Sequence, residues 1–569
     1  MVETIGSHAF HKCEKLKSVI LPNGPFLKNI ENDTFSFCIN LESIIIPKSI
    51  KLIGNYAFYN CEKLKSIVFS NESFLKNIGA RAFSSCNNLE SIIIPKMVKL
   101  TGNYAFYNCE KLKSVTFSDK SSLTNIGDNT FAFCSNLESI IIPELVKLIG
   151  NHAFHKCKKL KSVTFSNKSS LTNIGNNAFS FCSNLKLTII PKSVNSIGDY
   201  AFHRCEKIKF VNFSDKSSLS NIGNDAFSFC RNLESINIPE LVESIGDYAF
   251  HICEKIKSVT FSDGCYITNI GNDAFSFCFN LESIIIPEMV EIVGDYAFHR
   301  CEKIKSVTLS DKSSLTNIGN NAFSFCINLE SIIIPKLINS IGDYAFNKCI
   351  KLKSIIFSNE SSVTSIGSFA LSYCYNLESF TIPKLLKSIE IYTFFKCKNL
   401  ISIIIPFFVE SIKNNSFFDS GLHYINFLDE SSIKSIEAEA FSHCLYLESF
   451  SLPSSIESIK QNTFYYCLEL KLLIIPKSSS INSIGKNAFG YCKNLQSFTL
   501  PKDIDCIEHF AFDQCIKLHK FYYFGTKEPK IFENPFSGCK SLNEIYVTNL
   551  YLNVSFCNIK VKIINQSIN

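Results

Sequence analysis

The chain has 569 residues, of which 46% are hydrophobic and 19% charged, with a formal net charge of +6. That composition excludes a disordered polymer and supplies enough apolar side chain for a large core. Basic and acidic residues are interspersed, without the clustered Lys and Arg of a nucleic-acid binder.

Read from the N-terminus, Met1-Val2-Glu3-Thr4-Ile5-Gly6 has no basic start leading into an apolar run, so no secretory signal peptide is visible. Charges, Asn or Ser interrupt every apolar stretch short of the ~20 residues a membrane helix needs, which speaks against membrane insertion. The first residues read as the middle of a repeat with no cap before Val2. That edge is expected to fray or to contact another molecule, self-association included.

Cysteine then marks the rhythm of the chain. It recurs at Cys13, Cys38, Cys61, Cys86, Cys109, Cys134, Cys157 and Cys182 and onward to Cys374, at intervals that alternate between 25 and 23 residues. The unit is therefore a 48-residue pair of unequal turns. After Cys397 the rhythm loosens: Ser420-Gly421 takes one cysteine place a residue short, which reads as a tightened turn. Only Cys265, Cys506 and Cys557 lie off the grid.

Each turn has a physical reading. In a long turn, Leu160, Val163 and Phe165 follow a Leu-x-x-Leu-x-Leu spacing whose last three residues alternate in, out, in, as a short strand does. Proline after the short-turn strands (Pro47, Pro95, Pro143) lacks an N–H and ends the ladder there. Ile-Gly is read as turning the chain, and the Ala-Phe-x-x-Cys that follows as a brief helical or 3₁₀ turn on the opposite side. A single turn cannot bury its apolar set, but stacked turns can. About 23 turns at ~4.8 Å spacing predict a rod about 110 Å long.

The pattern Cys-x-x-Leu-x-Ser-Ile-x-Ile-Pro-x-x-Val-x-x-Ile-Gly-x-x-Ala-Phe resembles the BspA-like leucine-rich repeats over nearly the whole chain, roughly Val2 to Val547. The resemblance implies an α/β repeat solenoid, a curved rod with a parallel β-sheet on the concave face and short helical or 3₁₀ turns on the convex face. It also implies cell-surface display and adhesion to host cells or matrix. The predicted organisation is a solenoid over residues 1–519 and an irregular last repeat with a C-terminal cap over 520–569. In the cap, Val554 to Ile568 are expected to close the open end of the core.

Candidate sites follow from the columns that stacking creates. The outward strand positions place Ile45, Ile93, Ile141, Ile285, Ile333 and Ile404 in one exposed apolar stripe beside a column of serines, and these six are the binding candidates. The residue after each first repeat leucine alternates Lys65, Glu90, Lys113, Glu138, Lys161, with Lys186 breaking the order; stacking makes these opposite charges neighbours. His155, His203, His251 and His299 recur at 48-residue intervals, ~10 Å apart, too far to share a metal, and read as convex surface positions. No cysteines stand at zinc-motif spacing, and they read instead as a buried ladder of free thiols. Asn-x-Ser/Thr at Asn32, Asn71, Asn167, Asn359, Asn414 and Asn553 is what an Asn- and Ser-rich chain yields by chance.

There is no Gly-rich phosphate loop, no His-Glu-x-x-His and no Gly-x-Ser-x-Gly, so no catalytic residue, metal or cofactor is assigned. The sequence thus predicts a non-enzymatic binding protein, a surface antigen or adhesin at the cell surface or secreted, recognising protein and secondarily glycan partners. The alternative is an intracellular, cytoplasmic leucine-rich scaffold, favoured by the missing signal peptide and the many unpaired thiols.

Overall fold

The computed structural model describes residues 2–564 apart from 187, 188, 215, 429–431 and 477. The chain forms two compact units, Met1–Met289 and Val290–Asn569, each a stack of the same turn. Every regular turn contributes two strands. The first is a four-residue strand such as Ser43–Ile46 or Ser66–Phe69; the second is a two-residue strand such as Leu52–Ile53 or Asn77–Ile78. The Ile-Gly step read as a bend is therefore a second strand, with Ile53 and Ile78 pointing inward.

Both strands pair in parallel with their counterparts one turn away. In unit 1, Ser43 pairs with Ser66 and Ile45 with Val68; in the second ladder Leu52 pairs with Asn77. Pairing from a short to a long turn runs the whole strand, as from Ser91–Ile94 to Ser114–Phe117. From a long turn to the next short one it holds only at the first one or two residues, as in Ser66 with Ser91 alone, or Ser18 and Val19 with Ser43 and Ile44. The two extra residues of the long loop pull the strand ends apart.

The expected helical or 3₁₀ face is not found: among the described residues there is no helix, and the fold is a parallel β-solenoid. The segment Gly54–Cys61 shows why. Tyr56 and Asn60 have φ of 56° and 58°, which an α-helix cannot contain. Backbone N–H groups alternate in their partners: those of Ala57, Tyr59 and Cys61 return to carbonyls three residues back. Those of Tyr56, Phe58 and Asn60 donate to Ala80, Ala82 and Ser84 of the next turn at 2.7–2.9 Å. A left-handed non-glycine residue costs about 1–2 kcal/mol. Here each one aims an N–H along the stack, where a helix would have kept it inside its own turn. Gly54 is required by contact rather than by φ, because a Cβ there would lie 2.6 Å from the Asn32 nitrogen.

The core is a set of like-on-like columns. Leu64, Ile67, Ala57, Phe58 and Cys61 and their equivalents are buried turn after turn. Phenylalanines stack from Phe35 through Phe58, Phe83, Phe106 and Phe131 with centroids 5.2–5.4 Å apart. Each ring contributes about 1.5–3 kcal/mol by burial. The cysteines are free thiols. The buried ladder thiols point at a carbonyl one turn back: Cys61 Sγ donates to Phe35 O at 3.2 Å and Cys86 Sγ to Phe58 O at 3.2 Å. Burial pushes Cys38 up to about 11 and Cys61 and Cys86 higher still, so these three stay protonated donors.

A further column went unread in the sequence. In most turns an Asn or Asp two residues past the short second strand accepts a backbone N–H from the next turn with its side chain. Asn32 Oδ1 accepts from Asn55, and Asn55 Oδ1 from Ala80; Asn103, Asp128 and Asn151 do the same for Asp128, Asn151 and Asn176, all at 2.7–2.9 Å. Asn and Asp fit because a short side chain with a carbonyl or carboxylate oxygen reaches one turn's rise.

Within unit 2 the last strands run Lys520–Tyr523, Glu544–Val547 and Ile559–Ile563 in parallel. Ser555–Phe556 folds back antiparallel on Ile559–Ile563 through Cys557 and Asn558, both at positive φ as a two-residue hairpin turn demands. Phe556 is buried against Tyr523, with ring centroids 5.2 Å apart. Residues 565–568 of the expected closing segment lie outside the described residues.

Candidate binding face

The four-residue strands alternate outward and inward, so every second side chain leaves the core. All six sequence-nominated isoleucines stand outward, with exposures between 50% and 67%. Ile45, Ile93 and Ile141 lie in one sheet of unit 1. Their direct partners are Val68, Thr116 and Thr164, which makes a column of β-branched side chains in Ile-Val and Ile-Thr couples. Ile285 stands on the other four-residue-strand sheet of unit 1, beyond residues 187 and 188. In unit 2, Ile333 pairs with the exposed Ile356, and Ile404 with Asn426.

Sequence reasoning missed a second apolar column. Met97, Leu145, Leu241 and Met289 are exposed at the corner after the short-turn proline, and Leu100 and Leu148 stand outward on the two-residue strands nearby. The signal was present: Pro-x-apolar-Val stands at Pro95, Pro143, Pro239 and Pro287, in register with the 48-residue pair, and the turn itself needs only the valine inside.

The Lys/Glu column forms real pairs. Lys65 meets Glu42 at 3.9 Å, Lys113 meets Glu90 at 3.2 Å and Lys161 meets Glu138 at 2.8 Å, all largely exposed. The Lys161 ammonium holds the Glu138 carboxyl below its usual range. Where Lys186 stands in a glutamate place, Lys209 turns the other way, to Glu234 at 3.7 Å. Opposite signs one turn apart cancel at a distance, so this column sets register more than it attracts ligand.

The histidine column is half-buried, not the free surface expected. His155 Nδ1 lies 2.5 Å from Ser180 Oγ, and His203 and His251 repeat the contact at 2.6 Å with Ser228 and Ser276. The His155 ring sits edge-on between Phe133 and Phe181, at 5.5 and 5.6 Å. Burial, helped by neighbouring positive charge, lowers His155 and His203 to about 4. Among the described residues no group of three or more His, Cys, Asp or Glu is arranged to hold a metal ion.

The stretches that carry these columns are matched by the family model described as BspA type leucine-rich repeat region (6 copies). It matches in overlapping segments, residues 1–113, 99–230, 220–339, 268–400, 316–445, 364–482 and 434–562. The chain belongs to the BspA-type leucine-rich repeat family. Among solved structures it is similar to a leucine-rich repeat protein from Bacteroides ovatus, with 25% identity over 84% of this chain and 92% of that one, at a TM-score of 0.40. A leucine-rich cell surface protein from Faecalibacterium prausnitzii matches at 22% identity over 70% of this chain and 83% of that one, TM-score 0.23. The pneumococcal vaccine antigen PcpA matches at 18% identity over 80% of each chain, TM-score 0.29. No curated protein matches the chain. In this BspA-type solenoid the outward strand columns are the surface that stays free once neighbouring turns have bound one another.

Proposed function

We propose that this chain is a non-catalytic surface adhesin whose exposed Ile45–Val68–Ile93–Thr116–Ile141–Thr164 column captures a protein partner. The observation that carries the reading is energetic. Isoleucines that leave half to two-thirds of their surface in water, strand after strand, cost solubility unless something covers them. Burying three such side chains contributes about 4–6 kcal/mol before ordering costs, about half to three-quarters of the ~8 kcal/mol of a micromolar contact, with the flanking Val and Thr adding to it. Ile285, Ile333 and Ile404 extend the same use of the face along their own sheets, and glycans are a second ligand class.

The test is binding of the purified chain to an immobilised solubilised extracellular-matrix extract, with Ile45, Ile93 and Ile141 changed together to Lys. Binding is expected to fall at least about tenfold, since a charge cannot enter a desolvated apolar contact. Unchanged binding rejects the stripe. One observation favours the second reading, an intracellular scaffold: the free thiols suit a reducing compartment. Protease shaving of intact cells separates the two, because a surface protein is cut and a cytoplasmic one survives.

A further inference from the structure

The regular face carries little information, and specificity requires a turn that breaks it. In unit 2, Ser420 replaces the ladder cysteine and lies 3.3 Å from Cys444 Sγ. Gly421 is packed so tightly that a Cβ there would fall 1.8 Å from Lys398 O. The shortened turn puts Tyr424 where the neighbouring turns carry Ser402 and Ser449. Tyr424 is 46% exposed, flanked by small hydroxyl side chains in place of bulk.

The ring is held rather than loose. Tyr424 Oη donates to Glu448 Oε1 at 3.2 Å, Lys471 Nζ lies 3.2 Å from Glu448 Oε2, and His423 Nδ1 lies 3.7 Å from Glu448 Oε1. His423 in turn stacks flat on Tyr446, centroids 5.4 Å apart at 8°. The Lys471 ammonium, then the Tyr424 hydroxyl, hold Glu448 below the usual carboxylate range, so it is an ionised acceptor at neutral pH. Asn426 projects on the same face two residues on, paired with the exposed Ile404, which gives the polar patch one apolar edge.

We propose that Tyr424 is the stacking platform of a carbohydrate subsite, taking a neutral hexose ring through its C–H face while Ser402, Asn426, Glu448 and Lys471 bond its hydroxyls. A flat ring with one tethered hydroxyl offers an apolar area at low entropy cost. A sugar combines an apolar ring face with a rim of hydroxyls, and the patch has the same division. An apolar peptide side chain would instead desolvate Glu448 and Lys471 without replacing their hydrogen bonds. The inference rests on the reading of the strand face as a binding surface, but uses a different unit from the Ile45–Ile141 stripe.

The test is saturation-transfer NMR on the full chain with methyl β-D-galactopyranoside and methyl β-D-glucopyranoside. Transfer to the sugar ring C–H protons is expected, roughly tenfold weaker in Tyr424→Ser and retained in Tyr424→Phe, which keeps the stacking face. Serine is the residue of the adjoining turns, so Tyr424→Ser is expected to fold, and its urea midpoint checks this. No transfer from either sugar, equal transfer in Tyr424→Ser, or loss in Tyr424→Phe overturns the subsite. Matrix-extract binding that falls in Tyr424→Ser without any sugar transfer also overturns it, in favour of a protein ligand. The stripe variant Ile45/Ile93/Ile141→Lys leaves the sugar signal intact, so failure of the stripe and failure of the subsite read out separately.

Discussion

Residues 41–182 in unit 1 and 397–450 in unit 2 are built from the same turn, yet they present different chemistry to solvent. In the first stretch every thiol reaches its phenylalanine carbonyl, and the outer face repeats Ile, Val or Thr beside paired Lys and Glu. In the second, a cysteine becomes Ser420. Among the described residues the strand ladder stops between Tyr424–Phe427 and Ser449–Ser451, and the face shows Tyr424, His423 and Tyr446. The core column continues through the break: Phe394, Phe417 and Phe441 stack at 5.1 and 5.3 Å, as Phe106 and Phe131 do at 5.4 Å. The buried columns therefore fix the stack and tolerate a lost residue, while the outward columns are free to acquire a function.

The strongest way to break that comparison is to cut the core in both places. Phe131→Ala and Phe417→Ala should each cost about 3–5 kcal/mol, read as a drop in urea midpoint, because each leaves a ring-sized cavity in a column that cannot collapse. A much smaller cost at Phe417 would mean that something other than the ring stack holds the irregular stretch.

Acid gives the next largest effect. An unfolded imidazole titrates near 6.5. His155 and His203 titrate near 4 in the fold. Between those values the unfolded chain binds protons that the folded chain does not. Their contribution is complete above about pH 6.5, declines as pH falls toward 4, and is lost below it. Allowing for solvent screening of half-buried groups, the loss is on the order of 1 kcal/mol per histidine. Urea midpoints at pH 7 and pH 4.5 measure it. His155→Tyr, which places in that column the residue found at Tyr107, should reduce the acid sensitivity; an unchanged pH profile would refute the half-buried, neutral assignment.

The smallest expected effect sharpens the same contrast. Glu138→Gln removes an exposed partner of Lys161 and should leave the urea midpoint unchanged within error, since pairs this exposed are screened. A clear drop would show that the charge column helps hold the turns together, and would move it from surface to scaffold.

Much of this was legible in the residues. The 48-residue pair, the inward Leu, Ile, Phe and Cys columns and the outward isoleucines all follow from period and alternation, which are properties of the sequence itself. The helical face was misread because Ala-Phe-x-x-Cys looks like one apolar turn of helix. What excludes a helix is positive φ at Tyr56, Asn60, His152 and Lys156, residue types that carry no shared mark of a left-handed backbone. The second strand was missed for a related reason: two residues are too few for alternation to show. The Asn/Asp ladder went unread because its partners lie a full turn away. The Tyr424 patch was legible only as a break at Ser420, since Glu448 and Lys471 join it from later turns.

The most direct test of the central claim, that function lies on an outward apolar column while the buried columns serve the fold, compares two columns of one sheet. Binding to the immobilised matrix extract is measured for Ile45/Ile93/Ile141→Lys and for Glu42/Glu90/Glu138→Gln, with matched urea midpoints. The account predicts at least about a tenfold loss in the first and near-native binding in the second. Equal losses, or binding that survives both, would contradict it.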